Sequence, residues 1–270
     1  MKFSVLMSIY NKEKPEYFNR AMQSIWDEQT VKPDEIVLVQ DGKLTDELYN
    51  SIEQWKEKLK KIFKTIPLEV NVGLGDALNI GIKHCNFELI ARMDTDDISL
   101  PNRFEKQLKV FENKNIDICS TWVSEFEDDE NKIISYRKLP EKNEDIIEYG
   151  KVRCPINHPA VMYKKSIVQK ADGYKRMMWF EDYYLWGRMI LIGAKFYNIQ
   201  ESLVNMRAGY GQLERRSGLK YAMSEFNLQK EFLDIGFINY FEFIRNITIR
   251  FISRIMPKIL VKIIYKLLRK

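Results

Sequence analysis

Short unbroken apolar runs alternate along this chain with segments whose apolar residues recur every three or four positions. Phe3–Ile9 and Glu35–Gln40 are β-rich runs, and between them Tyr17, Phe18, Ala21, Met22, Ile25 and Trp26 keep helical spacing. Leu48, Ile52, Trp55 and Leu59 mark a second helix, while 66–70 predicts a third strand, 74–84 a third helix and 87–93 a fourth strand. After Pro101 the pattern predicts a helix to about Asn113 and then a strand over 116–126. Strands and helices alternating at these lengths imply right-handed βαβ units. The expected fold is α/β, with a Rossmann-like, mostly parallel central sheet covered by helices on both faces.

From about residue 128 the alternation loosens. A turn is expected at 128–131, strand-like pieces at 132–139 and 158–163, and a helix at 181–190, with Tyr184, Leu185, Arg188 and Met189 spaced over two faces. This half is expected to build the second wall of a cleft. Internal repeats and low-complexity linkers are not found.

The fourth strand ends in three carboxylates, Asp94, Asp96 and Asp97. Ligands of open α/β sheets bind at the carboxyl edge, where carboxylates one residue apart can share a hard divalent cation with a substrate diphosphate. A lone Asp-x-Asp is equally well explained as an acidic turn. In a parallel sheet, however, two further strand ends reach the same rim. Tyr10 and Asn11 follow the first strand, and Asp41 and Gly42 follow the second. Together they can receive a nucleotide, with Asp41 accepting hydrogen bonds from base or ribose and Tyr10 offering an aromatic edge.

Gly73 and Gly75 stand at the start of the third helix, without the third glycine of a dinucleotide fingerprint or the Gly-Lys-Ser/Thr of a P-loop. They still permit close backbone approach to a nucleotide; an ordinary loop and helix cap is the alternative. Glu181 and Asp182 follow the aromatic pair Trp179 and Phe180, where they either cap the next helix or supply a general base. His158, before Pro159, reads first as a turn residue.

Composition narrows the classes. At 270 residues, 45% hydrophobic and 30% charged, the chain can bury a full core and is not a disordered protein. Cys85, Cys119 and Cys154, with His84 and His158, form no zinc-site spacing and fit a reducing cytosol. The amino-terminal apolar run leads into Asn11 and Lys12 instead of a cleavage site, so it reads as a strand and not as a signal peptide. No stretch of about 18 residues without charge suggests a membrane span. The net charge of +5 is concentrated after residue 231, where basic residues are opposed by Asp234 and Glu242 alone. A near-neutral main body does not favour nucleic-acid binding.

With these residues in place, the chain resembles the family 2 glycosyltransferases of the GT-A fold, specifically the branch that assembles bacterial O-antigen and amylovoran-type exopolysaccharide. The resemblance spans about residues 3 to 210. It rests on the ordered set Ser-Val-Leu-Met-Ser-Ile-Tyr-Asn, Ile-Val-Leu-Val-Gln-Asp-Gly, Asn-x-Gly-Leu, Ile-Ala-Arg-Met-Asp-Thr-Asp-Asp, Asn-His-Pro-Ala-Val-Met and Glu-Asp-Tyr-x-Leu-Trp. It implies that Tyr10, Asn11, Asp41 and Gly73 help bind a UDP-sugar, and that Asp94 and Asp96 serve ribose, diphosphate and a Mn²⁺ or Mg²⁺ ion. Asp182 would be the base of an inverting transfer, with Glu181, and on the acceptor side His158, orienting the acceptor. Leu78 stands where many relatives carry Arg, leaving Arg92 as a candidate for the diphosphate contact. The implied acceptor is N-acetylglucosamine on diphosphoundecaprenol, and the implied hexose is galactose or glucose.

The residues after Gly236 place Arg250, Arg254, Lys258, Lys262 and Lys266 four apart beside an Ile, Leu, Phe and Tyr face, with Pro257 expected to separate two helices. Amphipathicity alone suits a helix packed on the body as well as one lying in an anionic membrane interface. A lipid-linked acceptor favours the membrane. The expected organisation is therefore a catalytic domain over 1–231 and a membrane-associating tail over 232–270, acting peripherally at the cytoplasmic face of the bacterial inner membrane. A nucleotidyltransferase would also use acids and a cation but leaves Glu181 and Asp182 unexplained. A non-catalytic scaffold would bind sugar nucleotide or membrane without turnover, and a glycosidase would need no nucleotide-binding sheet.

Overall fold

The first seven residues of regular structure already show how the fold is layered. Strand β1 (Phe3–Ile9) directs Phe3, Val5, Met7 and Ile9 to one face and Leu6 to the other, and all are fully buried. A strand apolar on both faces belongs in the interior of a parallel sheet. The computed structural model describes residues 1–208 and 218–255.

Strand β1 is flanked in parallel by β2 (Glu35–Gln40) and β4 (Leu89–Arg92), and β2 by the edge strand β3 (Phe63–Pro67). Helices α1 (Pro15–Trp26), α2 (Asp46–Leu59) and α4 (Arg103–Asn113) cover the Phe3 face through Phe18, Met22, Ile52, Trp55 and Phe104. On the Leu6 face lie α3 (Leu74–His84) and α7 (Glu181–Leu191), which contribute Ala77, Leu78, Ile82, Leu185 and Trp186. Pro15 opens α1 at a position where its missing N–H costs no bond, and Thr45 Oγ1 caps α2 by accepting from Leu48 N at 3.3 Å.

The remaining strands turn the sheet into a mixed one. In order it runs β3, β2, β1, β4, β8 (Met162–Lys164), β6 (Ile118–Phe126), β9 (Phe196–Arg207), β5 (Ile98–Ser99), with β7 (Ser135–Arg137) on the side of β6. β8 is antiparallel to both β4 and β6, whereas β9 is parallel to β6 through a bulge around Trp122. Two short helices, α5 (Asn143–Gly150) and α6 (Lys165–Lys170), complete this half.

The third strand lies three residues before its expected position, because Phe63 anchors it opposite Ile36 while Val70 is exposed. Pro67 ends it at the sheet edge, where a missing ladder donor is tolerated. The piece expected over 158–163 divides into a 3-10 turn, His158–Ala160, and β8.

Helices α8 (Leu219–Asp234) and α9 (Tyr240–Ile255) form an antiparallel pair on the body. Phe232 of α8 fills a cluster with Tyr183, Tyr184 and Phe237, and its ring lies 4.7 Å from that of Phe237. Asn246 of α9 is buried and donates to Lys151 O and Gln229 Oε1, each at 2.8 Å. Arg250 pairs with Glu225 and donates to Val152 O at 2.7 Å. Thus the expected 231/232 boundary falls inside α8, and the first part of the expected tail is packed on the body. Residues 256–270, including Pro257, Lys258, Lys262 and Lys266, lie outside the described residues.

Candidate active site

Because β1, β2 and β4 are parallel, their carboxyl ends bring Tyr10, Asp41 and Asp94 to one rim. Tyr10 and Asn11 are exposed there. Asp41 is 4% exposed, and its carboxylate accepts from Val72 N at 2.7 Å and Gly73 N at 3.1 Å. Its side chain therefore ties the end of β2 to the loop that starts α3. Gly42, at φ +87°, is needed beside it, since a Cβ there would meet Asn71 N at 2.8 Å.

The acidic loop after β4 is built over buried arginine. Arg92 is fully buried; it donates to Met93 O and pairs with Asp94. Arg103, also buried, donates from Nη2 to Arg92 O at 2.7 Å, and burial together with Arg92 pushes its pKa down to about 9. Arg92, expected to touch a diphosphate, instead orients Asp94 from beneath. Leu78 is likewise buried, packed in the sheet-facing core below α3, so that position faces away from the rim.

Negative charge in this loop is incompletely balanced. Burial first, then Asp94 and Glu13, push Asp96 up to about 7. Asp97 rises well above the carboxylate range through burial and Asp96; its Oδ1 accepts from Arg207 N at 2.8 Å, and Oδ2 has no hydrogen-bond partner among the described residues. Thr95 Oγ1 donates to Glu13 Oε2 at 2.5 Å, which brings the loop after β1 against this one. Among the described residues, no group of three or more His, Cys, Asp or Glu side chains is arranged to enclose a metal. The carboxylates of Asp94 and Asp96 supply two oxygen donors, which fit a hard cation that takes its other ligands from phosphate and water.

A cavity of about 440 Å³ opens beside the rim, lined by Leu74, Gly75, His158, Tyr174, Met178, Trp179, Glu181 and Asp182. Glu181 and Asp182 occupy the first turn of α7, where the helix field favours negative charge. Asp182 Oδ1 accepts from Tyr183 N at 2.8 Å. Burial, then Asp182 and Asp76, raise Glu181. His158 Nε2 lies 2.9 Å from Tyr174 Oη, and burial plus the nearby Arg92 push its pKa down to about 3, so the imidazole is neutral. It feels Asp94 as well, while Tyr174 feels both Arg92 and Asp182, so these two rings lie between the acidic loop and the Glu181 pair.

The structure thus gathers His158, Glu181 and Asp182 around one cavity, with α3 alongside: a methyl at Gly75 would sit 3.4 Å from Glu181 Cγ. Tyr10, Asn11 and Asp41 belong to the neighbouring rim and do not line the cavity. Sequence reasoning missed Tyr174, Met178 and Trp179. The aromatic pair before Glu181 was visible, but not the bend that turns Trp179 to the cavity.

Comparison with known proteins bears on family and fold. Residues 4–170 match the glycosyl transferase family 2 model. The UDP-Gal:alpha-D-GlcNAc-diphosphoundecaprenol beta-1,3-galactosyltransferase of Escherichia coli is 42% identical over 266 residues, 98% of this chain and 95% of that protein. The amylovoran biosynthesis glycosyltransferase AmsE of Erwinia amylovora is 36% identical over 99% of both chains. Among solved structures, S. aureus TarS 1–349 in complex with UDP-GlcNAc superposes with a TM-score of 0.66 at 18% identity, over 86% of this chain and 67% of that one. The mannosyltransferase PcManGT of Pyrobaculum calidifontis, in complex with GDP-Man and Mn²⁺, gives 0.65 at 13% identity, over 86% and 64%. The fold is the GT-A fold expected from the sequence, and the chain belongs to glycosyl transferase family 2.

Proposed function

We propose that this enzyme transfers a hexose, galactose before glucose, from its UDP-sugar to N-acetylglucosamine on a polyprenyl diphosphate, inverting the anomeric carbon, in bacterial surface-polysaccharide synthesis. The observation that carries the reading is the cavity in which Glu181 and Asp182 stand beside the strand-end rim. Its support in substrate is the full-length similarity to an enzyme named for that reaction.

In this reading Tyr10, Asn11, Asp41 and the Gly73 loop receive the uridine. Asp94, held by Arg92, and Asp96 are the residues that would hold Mn²⁺ or Mg²⁺, which when bound supplies charge neutralisation to the leaving diphosphate. Asp182 takes the proton of the acceptor hydroxyl as its oxygen bonds to the anomeric carbon. The bond from that carbon to UDP breaks, and its electron pair leaves on the diphosphate. Attack opposite the leaving group inverts the centre. Neutral His158 and Tyr174 carry no charge of their own into the space between base and diphosphate.

Membrane contact is part of the proposal. No helix of the described residues is long and apolar enough to cross a bilayer. Yet Leu219, Met223 and Phe226 on α8, and Phe241, Ile244 and Ile249 on α9, are exposed, and the Phe226 ring meets Phe243 5.9 Å away. These faces and the basic residues after 250 suit peripheral attachment at the cytoplasmic face of the inner membrane.

The test is mass spectrometry of a synthetic N-acetylglucosamine-diphospho-lipid incubated with the protein, Mn²⁺ and, separately, UDP-galactose, UDP-glucose and their N-acetyl counterparts. A hexose mass gain with one donor is expected. No gain with any donor, while UDP still binds, would refute this acceptor.

A further inference from the structure

The segment between α6 and α7 carries a feature that the proposed chemistry does not use. Trp179 adopts φ +67°, in the left-handed region that bulky side chains rarely enter. The large ring it carries remains 42% exposed on the wall of the cavity that holds Glu181 and Asp182. Such a conformation persists only where the surroundings over-determine it.

They do so from two sides. From α3, Asn79 Nδ2 donates to Tyr174 O at 2.7 Å, Asn79 Oδ1 accepts from Tyr174 N at 2.8 Å, and Asp76 accepts from Arg176 Nε at 2.9 Å. From α8, Ser224 Oγ donates to Met178 O at 2.5 Å, and the Tyr221 ring lies 5.4 Å from that of Trp179. A turn bond from Phe180 N to Met177 O, 2.7 Å, closes the bend. An indole presented this way is an apolar plate with one ring packed against it, lining a cavity that Glu181 and Asp182 also line.

We infer that Trp179 is the stacking platform for the acceptor sugar, which rests on the transferase reading above. A pyranose has one face of C–H groups, which an aromatic ring covers, and an edge of hydroxyls, which Glu181 and Asp182 can address. The cavity volume of about 440 Å³ admits one hexosamine ring with water at its edge. Stacking on Trp179 fixes the plane of the sugar, so the choice of the hydroxyl that reaches Asp182 is set by the ring's orientation. Met178, also exposed at the same wall, extends the apolar surface.

The test compares Trp179→Phe, Trp179→Ala and Trp179→Gly in the full chain, with an N-acetylglucosamine-diphospho-lipid as acceptor. Trp179→Ala is expected to raise the acceptor KM about tenfold or more, with the UDP-hexose KM within about twofold of wild type. Trp179→Phe is expected to restore most of the loss. Trp179→Gly should lose acceptor affinity as Trp179→Ala does, yet melt no lower than Trp179→Ala, since glycine enters positive φ without a clashing Cβ. An acceptor KM unchanged in both small variants would overturn the inference. So would a parallel rise of donor and acceptor KM, which marks a structural role. If wild type transfers no hexose to this lipid, the proposed acceptor fails on its own. Saturation-transfer NMR with the same lipid then decides the platform: sugar-ring contact seen in wild type and lost in Trp179→Ala supports it, and no contact in wild type overturns it.

Discussion

Replacing Asp96 by Asn should stabilise the metal-free protein while abolishing its turnover. Asp96 is a carboxyl whose folded pKa, about 7, stands above its ordinary 3.8 because burial, Asp94 and Glu13 oppose its ionisation. Below the unfolded value both states are protonated and nothing is lost. As pH rises between 3.8 and about 7 the unfolded chain releases this proton while the folded chain retains it, so stability falls through that window and levels off above it. A shift of this size corresponds to roughly 4 kcal/mol at about pH 8. Sharing of charge with Asp94 and Asp97 reduces what one substitution recovers to about half, or about 2 kcal/mol. For a chain of this length that is a rise of about 4–8 °C in Tm. At about pH 5 only a little over a third of the effect should remain. Differential scanning calorimetry of both proteins in chelator, at the two pH values, reads this directly. An unchanged or lower Tm for Asp96→Asn at the higher pH would refute the account of this loop as uncompensated charge, and equal gains at both values would show that the charge is not the cause.

Other outcomes follow from the same geometry. Asp182→Asn should keep UDP affinity and lose at least about a hundredfold in transfer rate, measured as labelled hexose on lipid; a rate near wild type would remove Asp182 from the role of base. Arg92→Met breaks a buried pair, for which about 3–5 kcal/mol is typical; with the Asp94 side chain 33% exposed, about 2 kcal/mol of lost stability is expected by chemical denaturation. Ending the chain after Ile255 should weaken flotation with anionic liposomes and leave UDP affinity unchanged. Ending it after Ile235 should also lower Tm, because the Phe237 ring and the buried Asn246 amide are then lost from the body; equal melting of the two truncated chains would argue against that packing.

Much of the nucleotide-side architecture was legible because β1 and β2 are apolar on both faces and end in polar residues at fixed positions. Their alternation with α1, α2 and α3 implies parallel pairing, while the order β3, β2, β1, β4 comes from the structure. β9 was not legible, since the bulge opposite Trp122 breaks its period of two. Nor was the burial of Arg92: a charged residue at a strand end reads as a ligand contact, and only the packing of Arg103 and Asp94 around it shows an internal support. Glu181 and Asp182 could be picked out as acids, but the cavity before them depends on a positive-φ Trp179 that no spacing rule signals. In the tail, amphipathicity could not tell which side packs: one side of α9 is buried on the body and the other is exposed.

The clamp on the 172–180 segment makes the proposed acceptor wall a composite part, fastened to α3 and to α8 and also held by Arg188 of α7, which donates to Gly173 O at 2.6 Å. Such a wall cannot diverge by drift in the loop alone, because a new bend at Trp179 must be met by matching changes at Asn79, Asp76, Tyr221 and Ser224. Exchange of acceptor preference between relatives should therefore succeed when the loop travels together with its partners on both helices, and grafts of the loop by itself should yield folded enzymes that hydrolyse or idle instead of transferring. On the proposed platform, acceptor specificity depends on contacts dispersed over some 150 residues of sequence, from Asp76 to Ser224, and not on a contiguous stretch.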